Sequence, residues 1–370
     1  IVVLSKKNAS NVKYESQTFG VYREFKYNQK AGVIEIKGMT KEGKRMAHHV
    51  VPETIGGKPV KIIASGAFHD RSEMLSIELP DTVEMIGDYA FSKCCNLEEI
   101  RLPKNLTYIG DHSFLGALNL KKIVGGDLVT HIGNSAFYKT KWLENQGDFA
   151  VSGKTLYRYK GDGRCVLLPS EITHVASYAF ADTNVECVKT HGKVTLGEGV
   201  FYRCKNLCDV FIEMENIPPY CFYGCEQLSA VFDVETVGKF GLYACRSLGR
   251  ISAKRIGVCA FAYAEKLKEV FGVEELSDGA LFSCNGLEEL DIKVIDRISR
   301  FSMARTDLKT IRFAGSYIDD FAFYQAHNLC NVNIHYTVQF GEAIFLGCES
   351  VRTMTISGKY KLASYFGGKI

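Results

Sequence analysis

Thirteen cysteines and nine histidines are the residues of this 370-residue chain best suited to chemistry. Thiolates and imidazoles ligate zinc, and a Cys–His pair supplies a nucleophile and its base. The spacings favour neither use. Cys94-Cys95 is vicinal and Cys221 and Cys225 lie four apart, but no second ligand pair stands at zinc spacing. His48 and His49 are adjacent, so in a strand they face opposite sides. His69, His112, His131, His174, His191, His327 and His335 are scattered. No phosphate loop, His-Glu-x-x-His or Gly-x-Ser-x-Gly motif occurs. Neighbouring acids such as Glu98-Glu99 and Glu288-Glu289 read as polar strand flanks. No catalytic residue, metal or cofactor is expected.

What places the cysteines is a repeat. Its clearest unit runs from Ile86-Gly87-Asp88-Tyr89-Ala90-Phe91 through Cys94 and Leu97 to Ile100-Arg101-Leu102-Pro103. It starts at Ile63, Ile86, Ile109 and Ile132, 23 residues apart, and resumes at Val175, Leu196, Ile217, Val237, Ile256, Leu276, Ile298, Ile318 and Phe340. Five residues after each start comes a large apolar residue, usually Phe, as at Phe68, Phe91, Phe114, Phe201 and Phe323. A small residue commonly precedes it, which lets coils approach until the Phe positions form a spine. Then come a Leu (Leu97, Leu207, Leu248) and, three residues later, an inward Ile or Val (Ile100, Val210, Ile251). Apolar and polar residues alternate around the latter, the period of a short strand. One strand per coil gives a parallel sheet, with the Ala-Phe segment as a turn or short helix opposite. A lone coil cannot bury its apolar face, so the array stands only as a stack.

On this frame Cys94, Cys204, Cys225, Cys245, Cys284 and Cys348 occupy one column, three residues after the spine, where other coils place Ala117, Thr140 or Thr183. A column shared by Cys, Ala and Thr asks for a small buried residue, so free, inward-pointing thiols are expected.

The pattern resembles the BspA-like, or Treponema pallidum-type, leucine-rich repeat family: an Ile-Gly start, an Ala-Phe pair, a Cys, a Leu and an Ile-x-Leu-Pro strand, matched best by Ile63 to Pro80 and Ile86 to Pro103. The fold class expected is α/β: a right-handed leucine-rich-repeat solenoid with its parallel sheet on the concave side and a small N-terminal β cap. The organisation expected is a β-rich cap over residues 1–61, then an array over 62–361. A β-hairpin island interrupts the array at about 144–174, signalled by Val151-Ser152-Gly153 and Asp162-Gly163, and it reads either as an insert that extends the sheet or as an outstanding loop for a partner. Residues 362–370 read as a truncated or degenerate coil.

Composition narrows the role. Forty-five basic and 42 acidic residues nearly balance, which argues against a nucleic-acid binder. No apolar run of about 18 residues exists, so no membrane-spanning helix is expected. The chain begins at Ile1, so a trimmed start is expected and a signal sequence would not be visible. Two sequons, at Asn8 and Asn105, matter only in a eukaryotic secretory pathway.

The family resemblance implies a non-enzymatic secreted or cell-surface protein that adheres to a protein or glycan on a host or neighbouring cell; a monomer is expected. The alternatives are a structural spacer displaying another domain and an enzyme on a solenoid scaffold. Candidate partner-binding residues come from strand alternation. Phe211, Phe232 and Phe271 follow the inward Val210, Val231 and Val270, and so point outward, beside Arg250 and Arg312. Aromatics clustered on a polar face are typical anchors. A bulge near Asp233 or Gly272 would turn these rings inward instead.

Overall fold

The isoleucine that opens each repeat is itself in a strand. In the computed structural model, which describes residues 18–133, 135–292, 295–335, 338–357 and 360–361, a coil carries two short strands instead of the single one expected. Met85–Ile86 and Tyr108–Ile109 pair in parallel through their repeat starts, while Glu99–Arg101 and Lys122–Val124 form a separate parallel ladder. Between the two ladders the chain turns a corner at proline. The amide N–H of Val83 donates to the Pro80 carbonyl, and that of Leu106 to the Pro103 carbonyl. Proline offers no N–H to a ladder, so it separates the strands. Where later coils shorten and lose the proline, the two strands merge, as in Phe232–Val237 and Arg250–Ile256. The described residues fall into two compact units, divided between Asn145 and Gln146.

In the first unit, β1 (Thr18–Tyr22), β2 (Phe25–Lys30) and β3 (Val33–Met39) form an antiparallel meander. Its β2–β3 turn holds Ala31 and Gly32 at φ 49° and 76°, a left-handed pair suited to a two-residue hairpin. β3 then pairs in parallel with Lys58–Ile63, setting Ile36 beside Ile63 at the head of the repeat ladder. Phe25 meets Phe68 edge-on at 6.3 Å, and the spine continues through Phe91, Phe114 and Phe137 with ring centroids 5.1 Å apart. All five rings are buried. The only α-helix among the described residues, Lys141–Glu144, is N-capped by Thr140, and its Trp142 packs on Phe137 at 5.2 Å.

The second unit opens on a hairpin, Phe149–Ser152 with Thr155–Tyr159, and the latter strand pairs in parallel with His174–Val175. Tyr159 stacks on Phe180 at 4.9 Å and so takes a spine position. Arg158 reaches from the hairpin to the carbonyls of Tyr178 and Ala181, at 2.7 and 2.9 Å. Phe201, Phe222, Phe261 and Phe323 continue the buried core.

The side opposite the strands is built of turns, not helices. Two residues per coil, four apart, take positive φ, as do Tyr89 and Lys93 at 56° and 59°. Left-handed residues break a right-handed helix. Alternate N–H groups then bond within the coil and between coils: Ala90 N–H to Gly87, Phe91 N–H to Ser113 of the next coil. The turns therefore form an inter-coil ladder of their own. Residues 1–17 and 362–370, with the Asn8 sequon and the expected truncated or degenerate coil, lie outside the described residues. Asn105 of the second sequon is exposed, and its amide donates to the Asp81 carbonyl.

Candidate functional site

The cysteine column faces the core. Each column thiol donates to the carbonyl oxygen of a spine Phe in the preceding coil: Cys94 to Phe68, Cys204 to Phe180, Cys225 to Phe201, Cys245 to Phe222, Cys284 to Phe261 and Cys348 to Phe323, at 3.0–3.2 Å. Five are buried and Cys348 is half-buried. Burial pushes the thiols of Cys204 and Cys348 up to about 11 and those of Cys94 and Cys284 to about 12, so they stay protonated and unreactive. Thr140, Thr183 and Thr306 instead donate to the spine carbonyl of their own coil. His49 is likewise inward, paired in register with Ile77, while His48 is exposed beside Ser76. Among the described residues no three His, Cys, Asp or Glu side chains converge as a metal set, and no helix is long and apolar enough to cross a membrane.

The outward face of the strands carries what chemistry remains. In the first unit its charges pair from coil to coil. Lys121 meets Glu98 at 2.6 Å, Lys122 meets Glu99 at 2.8 Å and Arg101 meets Asp81 at 3.1 Å. Arg101 and the Lys104 amide hold the Asp81 carboxyl down at about 2.

In the second unit the face is less uniformly polar. Phe211 is 57% exposed and Phe271 38%. Their positions match the alternation argument, and Val273 takes up the burial after the Gly272 kink, where φ is 74°. Phe232 does not match it. Phe232 is 6% exposed, pairs with Ile251 in the inward register and packs on Phe222 at 5.5 Å, while Val231 is 63% exposed. The reason is length. Leu207 and Leu248 precede their inward residues by three positions, but Leu228 precedes Phe232 by four. One added residue exchanges the faces of everything after it.

No three-ring cluster forms, therefore. Phe211 and Phe271 belong to coils separated by two others, about 14 Å apart at ordinary strand spacing. Between them Asp233 and Ser252 occupy the equivalent positions. A shallow depression of about 260 Å³ opens there, lined by Glu215, Asp233, Glu235, Ser252, Lys254 and Gly272. Lys254 is bonded to Glu235 at 2.6 Å. Arg250 is exposed and in register with Glu269; Arg312 is exposed on the Thr310–Ala314 strand, in register with Asn333.

Two features escaped the sequence reading. Leu167, Lys189 and Phe211 stand side by side on three paired strands, with the Lys189 Nζ 4.7 Å from the Phe211 ring centroid. Exposed Leu167 follows the inward Val166 and was findable by the same alternation. On the turn side Tyr202, Tyr223 and Tyr243 stack at 4.9 and 4.7 Å. Each directly follows a spine residue, a recurrence legible in the sequence.

Comparison with known proteins agrees with the repeat. The model of the BspA type leucine rich repeat region matches residues 53–147, 164–252 and 254–365, in six copies. A search of curated proteins finds no match. Among solved structures, a leucine-rich repeat protein of Bacteroides ovatus is 20% identical over 95% of this chain and 100% of its own, with a TM-score of 0.41. The Treponema pallidum leucine rich repeat protein is 23% identical over 68% of this chain and 91% of its own, at 0.31. A leucine rich cell surface protein of Faecalibacterium prausnitzii is 16% identical over 95% and 96%, at 0.29. The family match spans well over half of the residues, and the chain belongs to the BspA-type leucine-rich repeat family.

Proposed function

We propose that this chain is a non-enzymatic binding protein, secreted or held at the cell surface, that docks a protein partner on the outward strand face of its second unit. One observation carries the reading: Leu167, Phe211, Val231 and Phe271 are exposed there on a face that is otherwise polar. Exposed apolar groups set in a polar surround mark interaction sites. Glu215 and Asp233 in the intervening depression suit a partner with a basic side chain between apolar ones, and Arg250 and Arg312 suit acidic groups at the rim. Lys189 lies against one face of the Phe211 ring, which favours a protein over a sugar that stacks on open rings. The extracellular setting and the adhesive role come from the family. In this reading residues 1–61 cap the array, 62–361 form it around a hairpin insert at about 144–174, and 362–370 are a truncated or degenerate coil; the protein acts as a monomer without a cofactor.

The test is a surface-plasmon screen of immobilised matrix and cell-surface proteins beside a glycan array, run with the wild type and a Leu167→Ser/Phe211→Ser/Phe271→Ser variant. A protein ligand whose affinity falls at least tenfold in the folded variant supports the site. Unchanged affinity removes it, and binding confined to glycans replaces the protein partner.

A further inference from the structure

Of the thirteen cysteines, Cys165 alone is exposed. It lies on the strand Cys165–Leu167, at the edge of a three-stranded parallel sheet. Its register partner on the next strand is Cys187. Neighbouring strands stand about 4.8 Å apart, within the range of Cα separations that a disulfide spans. The two side chains therefore stand side by side on one face of the paired strands. They differ in access, since Cys187 is 7% exposed. Nothing in the repeat calls for this pair: both residues stand on the outward row, one place before inward Val166 and Val188, where other coils carry Glu99, Lys122, Asp209 or Arg250.

We propose that Cys165 and Cys187 form a thiol–disulfide site, closed by exchange with low-molecular-weight disulfides. Cys165 is the entry point and Cys187 the resolving thiol. The Cys165 thiolate attacks one sulfur of the small disulfide, forming a mixed disulfide and releasing one small thiolate. The Cys187 sulfur then attacks the Cys165 sulfur; the bond to the small molecule breaks, and the Cys187 proton passes to the departing thiolate. Two electrons leave the protein pair, and the oxidant becomes two thiols. Burial raises the Cys187 thiol, with the Cys165 contact and the nearby Asp209 carboxylate adding to it and Lys189 opposing. Access sets the order of the two steps, since Cys165 is open to the oxidant and Cys187 is buried behind it.

Closure ties two coils together through residues 22 positions apart, beside the Leu167–Lys189 contact row. The other half-buried thiols offer no such geometry. The Cys208 thiol, the nearest in sequence to this ladder, donates to the Asn206 carbonyl, and the residue in register with Cys187 on that strand is Asp209.

The experiment uses the full chain, reduced, freed of reductant and incubated folded with oxidised glutathione. Intact mass and peptide mapping follow. The expected product is a protein lighter by two hydrogens, with Cys165 and Cys187 in one linked peptide and the native thiol reactive to iodoacetamide lost. Cys187→Ser should stop at one glutathione on Cys165, and Cys165→Ser should take up none, while Cys208→Ser should behave as wild type. A wild type that halts at the mixed disulfide, links Cys165 to any other cysteine or does not react overturns the proposal. The wild-type map decides the matter even if a variant fails to fold.

Discussion

The thiol of Cys225 donates a hydrogen bond to the carbonyl oxygen of Phe201, 3.1 Å away and one coil earlier. The spine residue of one coil is thereby held by the small residue of the next. That carbonyl also accepts the Cys204 N–H of its own coil at 3.1 Å, so the thiol is a second donor that ties the turn to the next coil. The column's mix of Cys and Thr then has a reason beyond size, since both can donate to a spine carbonyl, whereas Ala only fills.

Column thiols should accordingly be inert in the folded protein. Iodoacetamide at neutral pH should modify Cys165 and spare Cys94, Cys204, Cys225, Cys245 and Cys284, whose thiols burial holds in the protonated form. In guanidinium all thirteen should react. Peptide mapping after native alkylation checks this; labelling of any of the five buried column thiols at the rate of Cys165 contradicts it.

The glycine after the starts at Ile86, Ile109 and Ile132 is a matter of contact. A methyl group at Gly110 would stand 2.6 Å from the Asp88 amide nitrogen and 2.7 Å from the Gly87 carbonyl carbon, with the Asp88 carboxylate as close. That carboxylate accepts the Asp111 N–H at 2.9 Å, so it is not free to swing away. Gly110→Ala should cost about 1–3 kcal/mol by forcing the coils apart. Gly249→Ala, where a methyl group meets nothing within 4 Å, should stay within about 0.5 kcal/mol of wild type. Urea midpoints measure both, and equal values for the two variants would refute the close-packing argument.

His49 gives the first unit a pH dependence. Burial lowers its pKa from 6.5, and the neighbouring Glu24 carboxylate and Met46 carbonyl offset this only in part, with His48 opposing them. The ring is therefore neutral when folded at pH 7, despite a carboxylate oxygen 3.9 Å away. The unfolded chain binds the proton more readily, so stability rises with pH across this titration. The contribution is level above about 6.5 and declines as pH falls below it. Urea midpoints at pH 7.5 and 5.5 should differ more for the wild type than for His49→Leu. An identical pH slope in both would mean that His49 is charged or solvated in the fold.

How far the sequence speaks depends on what a position must satisfy. Ile86 and Phe91 must meet their counterparts in the adjacent coil, so their types return at fixed spacing and the solenoid is legible from them. Tyr89 and Lys93 take left-handed backbone conformations without being glycine, which no residue type announces, and for that reason helix and turn could not be told apart. The second ladder was hidden because Met85–Ile86 is too short for alternation to show. Outward residues such as Leu167 and Phe211 answer to no neighbour in the core. Their types vary freely, and only strand alternation locates them.

Alternation in turn depends on counting, and Phe232 tests the count. The added residue after Leu228 places Phe232 in the inward register against Phe222 and Ile251, and Val231 outside. Phe232→Ala should then cost about 3–5 kcal/mol, as for a buried Phe. Phe211→Ala, by contrast, should change stability by no more than about 0.5 kcal/mol, since it removes an exposed ring that lies against the Lys189 ammonium. Deleting Ala230 separates length from residue type. The shortened segment brings Phe232 to the third position after Leu228, the ordinary inward place, and keeps Val231 outward, so it should cost far less than Phe232→Ala. Guanidinium unfolding of the three variants checks the set. A Phe232→Ala cost as small as that of Phe211→Ala would return Phe232 to the outward face and with it the three-ring patch.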